Sequence, residues 1–187
     1  MEKILISACL VGDNVKYNGG NNKSPLIEKL LEKYELIPFC PEVEGGLKSP
    51  RSPSERKGGR VINMDGEDVT SAFERGAELA LNICLFLKIK KVILKERSPS
   101  CGSKEIYDGS FSHKVIPGMG VTAEYLKEKG IEVYNENDID SLLNDWLTSS
   151  YYLGGSNSHQ AFYNRPSQLW SIWLLTMGQY WWKLEKL

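Results

Sequence analysis

The chain has 187 residues, 41% of them hydrophobic and 25% charged, and its 23 lysines and arginines nearly balance 24 aspartates and glutamates. This composition is typical of a folded soluble protein, and it excludes a largely disordered chain and a strongly basic nucleic-acid-binding protein. A chain of this length buries a core without disulfides, which suits one compact domain with an appendage.

The first third of the chain alternates short apolar runs with longer amphipathic ones, a pattern typical of an α/β protein with a mainly parallel sheet. Lys3–Ser7 and Glu35–Phe39 are predicted strands. Between them, Ser24-Pro25 predicts the start of a helix that runs to Tyr34. We expect the Gly- and Pro-rich segment 41–59 to be a binding loop, because it is too long for a simple connector.

The same alternation continues to about residue 145. Asp68–Thr70 opens the longest predicted helix, and Lys91–Lys95 is the third predicted strand, followed by a second candidate binding loop at 96–120. The remaining predicted elements are the helix Thr122–Lys129, the strand Ile131–Tyr134 and a helix that starts at Asp138. We therefore predict one compact, Rossmann-like α/β domain over residues 1–145, with a mainly parallel sheet flanked by helices.

Residues 146–187 have a different composition, with all five tryptophans of the chain and few charges. We predict an aromatic-rich C-terminal extension that packs on the domain or forms a homodimer contact, with a membrane-surface contact as the alternative. Its apolar stretch is too short and too polar to span a bilayer, which needs ~20 apolar residues. The N-terminus lacks the features of a signal peptide, so we expect a cytoplasmic protein.

Three of the four cysteines share one position relative to the predicted strands. Cys9 follows the first strand, Cys40 ends the second, and Cys101 lies in the loop after the third. Loops at the carboxyl ends of parallel strands converge, so these thiols can meet in one pocket; core packing is the alternative. Cys84 lies in an apolar helix and is expected in the core. Three soft thiolates suit zinc, copper(I) or an iron–sulfur cluster with one position open, and His113 is a candidate fourth ligand.

Groups suited to proton transfer stand beside these cysteines. Glu42 follows Cys40 by two residues, and Ser98 and Ser100 precede Cys101. A carboxylate and hydroxyls so placed are candidates for acid–base chemistry, although solvated loop residues are the alternative. Basic residues of the same loops are candidates to hold an anionic substrate: Lys16, Arg51 and Lys104.

These loops carry a series of ordered blocks: Ser7–Gly12, Lys16–Gly20, Phe39–Glu42 with Gly45–Leu47, Pro50–Arg51, Asp68–Thr70, Lys95–Gly102, Ile106–Gly109 and Gly118–Ala123. Together the blocks resemble the TudS-type thiouracil desulfidases, a family long described as a domain of unknown function. The resemblance covers about residues 3–145. One departure is Lys16, which stands where members of the family often have Arg, so that a point charge replaces a bidentate donor.

The resemblance implies a 4Fe-4S cluster held by Cys9, Cys40 and Cys101, with the fourth iron free. In such enzymes that iron takes the sulfur of a thiolated uracil, oxygen from water replaces the sulfur at carbon, and hydrosulfide leaves without net redox change. The catalytic acidic residue of the family corresponds to Glu42. The catalytic serine corresponds to Ser98, with Ser100 as the second choice.

The resemblance and the composition together favour a free thiolated nucleobase or a nucleotide, such as 4-thiouridine monophosphate, as the substrate. A near-neutral chain without a basic stripe is not expected to bind nucleic acid tightly. One alternative is a non-catalytic iron–sulfur or zinc-binding module that serves as a scaffold or redox sensor. A second is sulfur insertion into RNA, which normally needs an ATP-binding loop, and the sequence has no G-x-x-x-x-G-K-[ST] motif.

Overall fold

A sheet of four parallel strands organises the protein in the computed structural model, which describes residues 1–144. The predicted boundary at 145 and the aromatic-rich extension 146–187 lie outside the described residues. In chain order the elements are β1 (Glu2–Ser7), α1 (Ala8–Val11), α2 (Ile27–Leu31), β2 (Tyr34–Phe39), α3 (Pro41–Glu44), β3 (Ser54–Lys57), β4 (Arg60–Asn63), α4 (Thr70–Leu87), β5 (Lys91–Leu94), β6 (Glu105–Tyr107), β7 (Val115–Pro117), α5 (Val121–Glu128) and β8 (Glu132–Asn135). A 3₁₀ turn at Glu136–Asp138 leads into a helical segment at 139–144.

The central sheet has the strand order β2-β1-β5-β8, and each neighbouring pair is parallel. The four predicted strands are therefore confirmed, with ends that differ by one residue. The chain passes from β1 to β2 on one side and returns to β5 on the other. The strand order thus changes direction at β1, and loops that leave such neighbouring strands open a crevice at the carboxyl edge of the sheet.

Helices cover both faces of this sheet. Ile4 and Ile6 of β1 pack on one face with α2 and the helical segment at 139–144. Leu5 lies in the core of the opposite face, with α4 and α5. The alternation along β1 buries successive residues on opposite faces, which explains why its apolar run is continuous. The predicted mainly parallel α/β fold is confirmed, and Cys84 of α4 lies in the core at 1% exposure, as expected.

One local prediction was wrong, and two were incomplete. The helix expected from Ser24 to Tyr34 is the short α2, because Ser24 forms a turn in which its hydroxyl accepts from the Leu26 amide, and Tyr34 already belongs to β2. The two candidate binding loops also contain structure of their own. The first holds α3 and β3, which pairs antiparallel with β4 just beyond the loop, and the second holds the antiparallel pair β6–β7.

Two glycines allow the close packing that brings these loops together. A Cβ atom on Gly76 of α4 would lie 2.0 Å from the carbonyl oxygen of Pro41, the first residue of α3. A Cβ atom on Gly120 would lie 2.4 Å from the carbonyl oxygen of Ser100. Both positions therefore need glycine. Among residues 1–144, no helix is both long and apolar enough to cross a membrane.

Candidate active site

A cavity of about 460 Å³ is lined by Cys9, Cys40 and Cys101 together with residues of the loops at the carboxyl edge of the sheet. Cys9 lies in α1 directly after β1, and Cys40 directly follows β2. Cys101 lies in the loop that leaves β5, on the other side of β1. Three neighbouring strands therefore deliver the three thiols that the sequence singles out, and none of them is in a disulfide.

Burial keeps these thiols protonated in the protein alone. It raises the pKa of Cys9 to about 11, an effect that a hydrogen bond from Asn22 partly offsets. Burial also raises the pKa of Cys40 and of Cys101, and the nearby Glu42 raises both further. Thiolates therefore form here when a cation replaces the protons, which is how metal binding to cysteine proceeds.

The donor set fits an iron–sulfur cluster. Thiolates are the ligands that such clusters use, and the cavity receives three of them from separate loops. No three His, Cys, Asp or Glu side chains within residues 1–144 converge tightly enough to hold a single metal ion. A cluster has a different requirement, because each thiolate binds a different iron and the thiols therefore stand apart around it.

Glu42 lies on α3 in the wall of the same cavity, with its carboxylate held from two sides. The guanidinium of Arg51 donates to Oε2 from Nε at 3.0 Å and from Nη2 at 2.7 Å. The hydroxyl of Ser98 donates to Oε1 at 3.3 Å. The side chains of Arg51 and Glu42 are only 11% and 15% exposed, so this ion pair is largely shielded from water.

The two candidate serines have different surroundings. Ser98 lines the cavity, and its Oγ accepts from the amides of Ser100 at 3.1 Å and Cys101 at 3.0 Å, which leaves its proton for Glu42. Ser100 is fully buried, and its hydroxyl lies 2.9 Å from that of Thr122, away from the lining of the cavity. The geometry therefore favours Ser98 as the residue that exchanges a proton with Glu42.

The predicted basic residues are only partly brought together. Lys16 and Arg51 line the cavity, although Arg51 is committed to Glu42. Lys104 does not line the cavity, because its ammonium donates to Asp138 at 2.7 Å on the outer side of the loop. His113, considered above as a fourth ligand, is exposed at the cavity, with its ring edge-on to Tyr107 at a centroid distance of 6.3 Å.

Glu96 is a site residue that the sequence analysis missed. It lies 6% exposed in the cavity wall, and its carboxylate accepts from the amides of Ser103, Lys104 and Glu105 at 2.9–3.1 Å. Asn135 of β8 donates to it at 2.6 Å. Burial would raise the pKa of Glu96, but the hydrogen bonds from these amides and from the Ser103 hydroxyl outweigh burial and lower it.

Further lining residues also escaped the sequence analysis: Ser7, Asn22, Lys95, Tyr107 and Phe111. The side-chain nitrogen Nδ2 of Asn22 lies 3.8 Å from the Cys9 sulfur. The hydroxyl of Ser7 accepts from the backbone N–H of Lys95 at 2.9 Å. Ser7 and Lys95 could have been predicted as site residues from their positions, because they stand at the carboxyl ends of two adjacent strands. Tyr107 and Phe111 gave no such signal, because they belong to a hairpin that was not predicted.

Comparison with known proteins agrees with this geometry. The model of the 2-thiouracil desulfurase family matches residues 4–138. The chain belongs to the 2-thiouracil desulfurase family. It is 41% identical over 150 residues to the uncharacterized protein YbbK of Bacillus subtilis (strain 168), a match that spans 75% of this chain and 99% of YbbK.

A solved structure is similar over the same region. It is that of the [4Fe-4S]-dependent thiouracil desulfidase TudS, 43% identical, with a TM-score of 0.74 and coverage of 79% of this chain and 99% of that one. The resemblance seen in the sequence blocks is thereby confirmed at the level of the family. This chain covers 99% of each of the two relatives.

Proposed function

We propose that this protein removes sulfur from a thiolated uracil base or nucleotide with a 4Fe-4S cluster bound by Cys9, Cys40 and Cys101. The observation that carries the proposal is that these three thiols line one cavity together with Glu42 and Ser98. Membership of the 2-thiouracil desulfurase family and the similarity to TudS support it. The reaction converts C=S and water into C=O and hydrogen sulfide, so no external oxidant or reductant is needed.

When bound, the cluster supplies a soft iron without a protein ligand, which takes sulfur in preference to oxygen. The protein supplies the proton chemistry. Water must lose two protons to become the carbonyl oxygen of the product, and the departing sulfur must gain at least one. A fixed carboxylate in the cavity wall is a suitable base for the first of these protons.

Glu42 has the contacts that this role requires. Its Oε2 is occupied by Arg51, its Oε1 accepts from Ser98, and the residue lines the cavity. A proton taken by Oε1 lies within reach of the Ser98 hydroxyl, which can pass its own proton onward. The two backbone amides that bind the Ser98 oxygen stabilise it while it does so.

The substrate is proposed to be a small thiolated nucleobase or its nucleotide, including 4-thiouridine monophosphate. The cavity, at about 460 Å³, is within the range typical of small-molecule sites. Lys16 lines it and is proposed to hold an anionic group of the substrate. We also retain as proposals a cytoplasmic location, no tight binding of nucleic acid, and a homodimer contact through residues 146–187.

The test is anaerobic purification with iron and sulfide analysis, followed by hydrosulfide release from 2-thiouracil, 4-thiouracil and 4-thiouridine monophosphate. We expect iron, sulfide and turnover in the wild-type protein. Glu42→Gln is expected to keep its iron and to slow single-turnover sulfide release by ~10²–10⁴-fold, the usual contribution of an acid–base group.

The matched control is Glu44→Gln, because Glu44 is an exposed residue of the same helix and does not line the cavity. It is expected to behave as wild type. A cluster-loaded protein that releases no sulfide from any of the three substrates would favour the non-catalytic iron–sulfur module instead. A near-wild-type rate in Glu42→Gln would remove that residue from the mechanism.

A further inference from the structure

Arg51 makes more hydrogen bonds than an ion pair with Glu42 requires. Besides its two bonds to Glu42, its Nη1 donates to the carbonyl oxygens of Val15 at 3.0 Å and Lys48 at 3.1 Å. Four of the five N–H donors of the guanidinium are therefore used inside the protein. The side chain is 11% exposed, so little of it is available to a ligand in the cavity.

These bonds join α3 to the loop that carries Lys16. The side chain of Arg51 binds the carbonyl of Val15, and its backbone amide binds the carbonyl of Tyr17 at 2.7 Å. Arg51 thus holds the backbone on both sides of Lys16 while it also holds Glu42. One residue therefore links the carboxylate of the proposed base to the backbone that carries the proposed substrate-binding cation.

We propose that Arg51 is a positioning residue that orients the Glu42 carboxylate and the Lys16 loop, and that it does not contact the substrate. The inference deepens the proposed function, on which it rests for the roles of Glu42 and Lys16. With both Arg51 bonds on Oε2, the carboxylate keeps its Oε1 for the hydroxyl of Ser98. Without Arg51, a largely buried carboxylate would lack its charged partner and would turn toward other donors.

A direct role in substrate binding makes a different prediction. An arginine that binds the substrate raises KM when it is replaced, and the effect persists whatever residue stands at position 42. An arginine that acts through Glu42 lowers kcat, and its effect disappears when Glu42 is already replaced, because coupled residues are not additive. A double-mutant cycle therefore separates the two roles.

The experiment compares Arg51→Gln, Glu42→Gln and the double variant at matched iron content, with sulfide release from 4-thiouracil as the assay. We expect Arg51→Gln to lower kcat by about 10²-fold, the effect of a misplacement on the order of 1 Å. KM should rise by no more than about threefold, because the Lys16 loop loses the side-chain bond to Val15 but keeps the bond from the Arg51 amide to Tyr17. In the Glu42→Gln background, the same substitution should change kcat by less than about threefold.

The control is Arg60→Gln, which removes an exposed arginine 3.9 Å from Asp68 and outside the cavity lining. It is expected to leave kcat and KM unchanged. Arg51→Lys keeps the charge but loses the fork of donors, so its kcat should lie between those of the wild type and Arg51→Gln. Effects of Arg51→Gln that fall on KM and are equally large in both backgrounds would overturn the proposal.

A second measurement does not depend on turnover. Hydrogen exchange of the amides in residues 14–20 should be faster in Arg51→Gln than in wild type, whereas α5 (Val121–Glu128), which has no bond to Arg51 or Glu42, should be unaffected. Exchange at 14–20 that is as slow as in wild type would overturn the proposed positioning of the Lys16 loop. Absence of sulfide release from the wild-type protein would instead count against the proposed function, while the exchange result still tests Arg51.

Discussion

The two loops that deliver Cys40 and Cys101 are held by buried charges of opposite sign. Within segment 41–51, the guanidinium of Arg51 binds the carbonyl oxygen of Lys48 and the carboxylate of Glu42, and it also binds the carbonyl oxygen of Val15 in an earlier loop. The segment 96–105 closes around the anion Glu96, whose carboxylate collects backbone amides and the hydroxyl of a serine. Arg51 thus satisfies backbone carbonyl oxygens, and Glu96 satisfies backbone N–H groups.

The comparison shows two ways in which a charged side chain can make an irregular loop rigid enough to form a site: a cation binds backbone carbonyls, and an anion binds backbone N–H groups. Buried backbone groups need hydrogen-bond partners, and a loop cannot provide them as a helix or a strand does. A guanidinium offers five donors and a carboxylate about four acceptor positions, so either one can organise several groups. The two systems meet where Ser98 of one loop donates to Glu42 of the other.

The largest expected effect separates the site cysteines from the core cysteine. Cys9→Ser, Cys40→Ser and Cys101→Ser should each lose most of the bound iron, because a hydroxyl is a hard ligand and a poor replacement for a thiolate. Cys84→Ser should retain it, because Cys84 lies in the core against α5 and does not line the cavity. Iron and sulfide analysis of anaerobically purified variants checks this. Loss of iron from Cys84→Ser together with retention in Cys9→Ser would contradict the assignment.

The next effect tests the contact at which the two loops meet. Ser98→Ala removes the donor to Glu42 and the acceptor for two amides, and we expect single-turnover sulfide release to slow by about 10²-fold at unchanged iron content. The measurement is sulfide release from matched cluster-loaded samples.

Ser100→Ala is the matched control for this substitution. Its hydroxyl bonds only to Thr122 among the described residues, so the variant should lose about 1–3 kcal/mol of stability from an unpaired buried hydroxyl and keep its rate. A slow Ser100→Ala combined with a fast Ser98→Ala would reverse the choice between the two serines.

Much of this architecture follows from short-range patterns in the sequence. The strands β1 and β5 were predictable because both faces of the sheet are covered, which requires a continuous apolar run. The convergence of Cys9, Cys40 and Cys101 was predictable because parallel strands end at one edge. The family blocks added the expected roles of Glu42 and Ser98, and the contact between those two side chains agrees with them.

Arg51 and Glu96 each combine partners in their own loop with one partner far away in the chain, and no local pattern contains the distant contact. Arg51 binds a carbonyl 36 residues away, and Glu96 binds an amide 39 residues away. For the same reason, Lys104 was predicted to hold the substrate although it does not line the cavity: its partner Asp138 lies 34 residues further along the chain. The short hairpins were missed because three- and four-residue strands carry too little alternation to be distinguished from loop.

A smaller effect is expected when the anion that holds the second loop is neutralised. Glu96→Gln should lower the thermal midpoint at pH 7 by about 10 °C, because the loop amides lose a charged acceptor at Oε1 and the new NH₂ group, in place of Oε2, faces the Asn135 NH₂ and the Ser103 hydroxyl. The loss corresponds to about 3 kcal/mol, the typical penalty for several buried groups left without partners. Thermal denaturation of cluster-loaded protein measures it.

The effect should also depend on pH. The pKa of Glu96 is lowered in the folded protein, so its contribution to stability is present above the ordinary glutamate pKa of ~4.3 and is lost as the pH falls below it. The midpoints of wild type and Glu96→Gln should therefore converge at acid pH. A difference that stays constant from pH 7 down to about pH 2, below the lowered pKa of the folded protein, would show that the charge of Glu96 does not hold the loop.

The smallest effect is expected from removing residues 146–187. The family match ends at residue 138, and the similarity to TudS covers 99% of that chain with 79% of this one, so both charged loops lie inside a region that is a whole domain elsewhere. A chain ending at Asp145 should load its cluster and release sulfide at the wild-type rate, although its solubility or oligomeric state can change. Parallel assays of iron content, sulfide release and oligomeric state check this. A truncated protein that is folded and cluster-loaded but inactive would show that the extension completes the cavity, and the two loops would then not be sufficient to form the site.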